Sequence, residues 1–218
     1  MATKSSRKHA LSRLSDVMLA ATLCVTAAVV VQQAVVLFAA DWSSSSVRHQ
    51  LGLWTQGTRE HTDAQWELAR QDLTRAVALT PNDPTLHDAL AQLHGLRGQT
   101  LWTTGAEGSP ELEAYRAALE HQQASLRIRP THAMAWANLA LFHLALNSPP
   151  EDLLKAWREA ARLGPKEIDV ENTLASVAND IWPIAPPDMK AWVEERRPGW
   201  TEAIEKLATQ GAAAAPAR

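Results

Sequence analysis

Val17 to Ala40, VMLAATLCVTAAVVVQQAVVLFAA, is a run of 24 residues without a single charge, and it limits what this chain can fold into more than any other feature. At 1.5 Å per residue, a helix of that length covers a hydrocarbon core of about 30 Å. Residues 17–40 are therefore expected to form a transmembrane helix in contact with the lipid bilayer. Lys4, Arg7, Lys8 and Arg13 precede the run against one acid, Asp16, whereas the stretch after it opens on Asp41 and has only Arg48 nearby. Basic flanks stay in the cytoplasm. Residues 1–16 are thus expected inside, and everything after residue 40 in the periplasm, beyond a bacterial inner membrane. A cleaved signal peptide would have an apolar core of roughly 7–15 residues and a small-x-small site. This run is longer, and a cut before Asp41 would put bulky Phe38 three residues upstream of it. Gln32 and Gln33 lie near the outer end, where a polar amide costs less than at the midplane.

The remaining 178 residues suit about one domain. They carry 17 Lys and Arg (21 less the four named above) and 23 Asp and Glu (24 less Asp16), a net charge of −6. Such an acidic surface argues against nucleic acid as a partner, because phosphate backbones need a basic patch. The single cysteine, Cys24, lies within the apolar run, which excludes an intramolecular disulfide and a cysteine-based metal site.

After residue 40, strand-like alternation is absent and helical periodicity is nearly continuous. DWSSSSV, 41–47, is expected to be a polar spacer whose serines cap a helix beginning near Val47. Three later segments end alike, each an amphipathic stretch, a hydrophobic residue and then proline: AVALTPNDP, ASLRIRPTH and AARLGPKE. Pro130 and Pro165 lie 35 residues apart. That is close to the tetratricopeptide (TPR) period of about 34, in which two antiparallel helices touch through small residues and proline stops the second. The expected contact residues are Ala69, Leu73 and Ala76, then Leu90 and Ala91, then Trp136, Leu139 and Ala140, then Trp157 and Ala160. Pro81 to Pro130 is longer, and the excess falls in RGQTLWTTGAEGSPE, 97–111. The helix before it should overrun to about Trp102, and the next should run from Pro110 to Ile128 with Ser109 as its N-cap. A further helix is expected over 166–182, two short closing helices over 188–197 and 199–210, and a disordered tail over 211–218. The reading is an all-α chain: one N-terminal transmembrane helix, then a TPR-like helical repeat domain over 48–210.

PTHAMAWANLALFHL, LLKAWREAARLGPKEIDVE and the IWPI around Trp182, together with the single anchor, resemble the VpsP-like family of membrane-anchored repeat proteins from exopolysaccharide biosynthesis loci. The positions that carry the resemblance are Trp136, Ala137, Leu139 and Ala140, then Ala161, Leu163, Gly164 and Pro165, and Trp182. The Pro-rich IWPIAPPD departs from the pattern, and Arg162 alters the spacing before Pro165. The resemblance implies a place in polysaccharide assembly or export and implies no catalytic residue.

Chemistry is sparse. His87 and His94 lie seven apart on one helix face, but a metal site needs further ligands. His94 and His143 fall where TPR helices carry a packed tyrosine ring. The pairs Glu111/Glu113, Glu151/Asp152 and Glu194/Glu195 read as solvated helix starts or faces rather than acid–base pairs, which need a cleft and shifted pKa values. No phosphate loop, nucleophile elbow or HExxH occurs. No catalytic, cofactor-binding or metal-binding residue is expected. Trp136, Trp157 and Trp66 are expected in the core, Trp42 at the membrane interface and Trp102 as an exposed contact on the loop. The expected activity is non-catalytic: a scaffold or adaptor for protein partners of the inner membrane or periplasm. The partner-binding residues would lie on the concave face of the repeat: Asp88, Gln92 and Leu96, then Met134, Ala137, Leu141 and Leu144. The alternatives are a TPR module of another envelope machine, such as a pilus, secretion or cytochrome-maturation assembly, and an enzyme of polysaccharide modification.

Overall fold

The structure is a computed structural model that describes residues 3–103, 108–204 and 206. The 211–218 tail lies outside them. The described residues form helices and no strand. They divide into two units, Met1–Asn82 and Asp83–Arg218, with the boundary inside the TPNDP proline turn and thus inside the 48–210 stretch.

The first unit is built on α1 (Thr3–Thr55) and α2 (Asp63–Leu79), which pack together. α1 contains a segment long and apolar enough to cross a membrane, and its side chains from Met18 to Val35 are exposed. The spacer expected over 41–47 does not exist as a break, because α1 continues through it without interruption. Neither glycine nor proline stands there to stop the helix. Ser44 and Ser45 turn their hydroxyls back onto the carbonyls of Asp41 and Trp42, both at 3.4 Å, and Arg48 pairs with Asp41 at 2.5 Å. Ala40, Ser44, Val47, Leu51 and Trp54 are buried at helical spacing and form the packed stripe of this extension. α2 presents Ala69, Leu73 and Ala76, the three residues expected from the repeat spacing. Thr62 caps α2 in a reciprocal box with Gln65, at 3.2 and 2.9 Å.

The second unit comprises α3 (Pro84–Thr103), α4 (Ser109–Ile128), α5 (Ala133–Ala145), α6 (Pro150–Leu163), α7 (Ile168–Asp180), a 3-10 turn (Trp182–Ile184) and α8 (Pro187–Arg196). α3 reaches the expected end near Trp102. Ser109 is the first residue of α4 rather than its cap; the cap is Gly108, whose φ of 122° favours glycine. α7 is shorter than 166–182, and residues 200–204 are helical, within the closing helix expected over 199–210. Consecutive helices from α3 to α8 pack on one another, and α5 also packs on α7. α3 and α4 run antiparallel: Asp88 near the start of α3 meets Arg129 just past the end of α4, at 2.7 Å.

The small residues sit where close approach demands them. Ala91, Ala140, Ala160 and Ala178 are fully enclosed, with Leu90, Leu139, Leu153 and Leu174 beside them. Gly164 ends α6 against the start of α5, and a Cβ added there would stand 2.6 Å from that of Ala133. Neither backbone can yield cheaply. Gly164→Ala should therefore destabilise the chain by about 1–3 kcal/mol, the usual range for overpacking. An unchanged unfolding midpoint would show that the α5–α6 contact is looser than described. Gly95 and Gly98 in α3 face the rings of Phe142 and Tyr115 just as closely, which is why these helix-breaking residues lie inside a helix.

Candidate binding cleft

The residues expected on the concave face have separate fates. Asp88 is held between helices, accepting from Arg129 at 2.7 Å and from Gln122 at 2.8 Å, with the His132 ring at 3.3 Å. Ala137 is fully buried and belongs to the core. Met134, Leu141 and Leu144 are half-buried and pack against that same core. Leu96 is half-buried, and Gln92 is exposed. Trp102 is 58 % exposed at the end of α3, as its setting among Thr and Gly suggested. Trp42 is exposed as well.

Trp157 is buried, with its indole N–H donating to the Leu174 carbonyl at 3.0 Å. Trp136, expected inside the core, packs against its edge instead. It is half-buried, and its N–H donates to the Pro130 carbonyl at 2.8 Å. Trp66 is half-buried too. The position of Trp136 in the repeat spacing was legible, but its depth depends on how far apart α4 and α6 stand.

Around Trp136 lies a cleft of about 390 Å³. α4 contributes Gln123, Leu126 and Arg127; α5 contributes Trp136, Leu139 and His143; α6 contributes Asp152, Lys155 and Ala156. On α5 these residues occupy a different face from Met134, Leu141 and Leu144. Leu126, Leu139 and Ala156 are buried and form an apolar floor. Gln123, Arg127, Asp152 and Lys155 are exposed at the rim. His143 is buried, its Nδ1 has no hydrogen-bond partner, and burial holds its pKa below the ordinary value, with Asp152 opposing that shift. Sequence reasoning passed over this cleft. One signal was available, since Arg127 has no acid three or four residues away in either direction to pair with along its helix.

The structure also adds His121 of α4 to the two histidines of α3. His121 Nδ1 lies 3.3 Å from His87 Nδ1, and its ring stacks on His94 at 5.9 Å between centroids. Burial, then the neighbouring His87, push the His121 pKa down, with Glu120 opposing. Among the described residues no group of three or more His, Cys, Asp or Glu is arranged to hold a metal ion. Of the carboxylate pairs, the Glu194/Glu195 pair is divided between two partners, Glu195 facing Arg196 at 3.2 Å. Glu194 accepts from the N–H groups of Gly199 and Thr201 and from the Thr201 hydroxyl, at 2.6, 3.0 and 2.7 Å, which holds its pKa below the usual carboxylate value. It caps the helical residues that follow. Glu111 is buried.

No known protein family and no curated protein matches this chain.

Proposed function

We propose that this chain is a non-catalytic, membrane-anchored scaffold of TPR-like helical repeats that binds protein partners, with its N-terminus in the cytoplasm and its helical units in the periplasm. In this reading α1 crosses the inner membrane through the 17–40 run. The VpsP-like resemblance makes exopolysaccharide biosynthesis or export the process it serves. The observation that carries the reading is an apolar helix of spanning length joined, in one chain, to antiparallel helix pairs with an open cleft of mixed polarity. Confinement to the bilayer raises the local concentration of such a binding surface near membrane partners.

Three measurements test this. A phosphatase that folds only outside the cytoplasm, fused after Arg218, should be active; activity solely of a cytoplasmic reporter at that position would overturn the orientation. Photo-crosslinkers at Gln92 and Leu141 should capture defined membrane or periplasmic proteins in cells. Single replacement of His87, His94, Glu111 or Glu194 should leave cellular function largely intact wherever the protein stays folded and abundant. Loss of function from one such change in a normally folded protein would favour an enzyme.

A further inference from the structure

We propose that the α4–α5–α6 cleft docks an acidic peptide segment carrying one bulky apolar side chain. This rests on the scaffold reading and names the chemistry of the segment it takes and the face it uses. Charge complementarity is the first ground. In this unit Arg129 pairs with Asp88, Arg158 with Asp188, Arg162 with Glu159 and Arg197 with Glu171. Arg127 and Lys155 share the rim of one cleft, yet neither has an acidic partner among the described residues. Asp152 is the one acid among the described residues that line the cleft, so its balance is positive, while the chain after residue 40 carries a net charge of −6. An acidic segment therefore gains at this positive rim what the surface as a whole does not offer, which favours this register over others.

The second ground is the floor. Leu126, Leu139 and Ala156 form an apolar base, and Trp136 stands beside it. The Trp136 ring is fixed by its bond to the Pro130 carbonyl, so little conformational freedom is lost when a side chain lies against it. The volume falls within the range of about 300–1,000 Å³ typical of ligand clefts and suits a short stretch of chain rather than a folded domain. An aliphatic floor holds an apolar side chain, and the two cations at its edge hold flanking carboxylates. Arg127 can take a carboxylate through two parallel N–H bonds, and Lys155 acts as a point charge.

The test uses the full chain in lipid nanodiscs and a library of nine-residue peptides. Each has a central Leu, Phe, Met or Trp, flanked by positions randomised over Asp, Glu, Asn, Gln, Lys and Arg. Selected peptides should be enriched in Asp and Glu, and their affinity should fall as salt rises. Arg127→Glu and Lys155→Glu should each weaken them at least tenfold, while selection on the double variant should turn to Lys and Arg. Both side chains are exposed, so the melting temperature serves as a control that should hardly move. Trp136→Phe should weaken binding less than either charge reversal. Selection without acidic preference, equal binding to the reversed variants, or binding of a hexuronate oligosaccharide here in place of peptides would overturn the proposal. None of these outcomes touches the crosslinks from Gln92 and Leu141, so the scaffold reading stands or falls separately.

Discussion

Trp157→Ala is expected to destabilise the protein by about 3–5 kcal/mol, the range for removing a buried aromatic. Trp136→Ala should cost clearly less. Trp157 is 2 % exposed and meets the edge of Trp192 at 5.1 Å between centroids, so its removal opens a cavity among α6, α7 and α8. Trp136 already faces solvent on one side and loses mainly its bond to Pro130 and half its packing. Denaturant unfolding of the two variants, followed by far-ultraviolet circular dichroism, separates the cases. Equal losses would mean that the cleft closes over Trp136 in solution.

Acidification should produce the second large effect. His121 and His143 both have pKa values lowered by burial from the ordinary 6.5. The unfolded chain therefore binds protons more readily than the folded one. Stability is whole above the ordinary histidine value. It falls as pH drops through that value, and the loss is complete once the lowered folded-state values are passed. The unfolding midpoint should hold level from pH 8 to about 7 and then decline towards about 5.5, a window chosen above the carboxylate range. His121→Gln combined with His143→Gln should flatten the decline. A midpoint that rises on acidification would mean that these rings gain a carboxylate partner on folding.

Local signals made much of this fold legible. Proline after a hydrophobic residue marks a helix stop wherever it falls, and small residues at fixed offsets mark contacts. Hence Ala76, Ala91, Ala140 and Ala160 were found from spacing alone and are enclosed. The serines of 41–47 were ambiguous, because the same hydroxyl caps a helix or bonds back to a carbonyl within one. The stripe from Ala40 to Trp54 decides for continuation, and its burial is a tertiary fact. His121 sits 34 residues from His87, in another helix, and no periodicity within a helix joins them. The cleft was missed for a related reason. It is defined by the distance between α4 and α6, and the spacing of apolar residues along either helix is silent about that distance. Asp88 shows the converse: an offset that suggests an open face says nothing about the Arg129 waiting beyond the next helix.

The unbroken course of α1 has a mechanical meaning. Its 53 residues make a rod of about 80 Å, and the 15 that follow Ala40 extend it by roughly 22 Å. A flexible spacer would let α2 wander at any height above the lipid. A rod does not. With the apolar run in a bilayer, α2 rides on the same lever as the span, at a set height. Membranes of unequal thickness change the tilt of a spanning helix. Here each degree of tilt would become a sideways sweep of α2, so that bilayer thickness is translated into position.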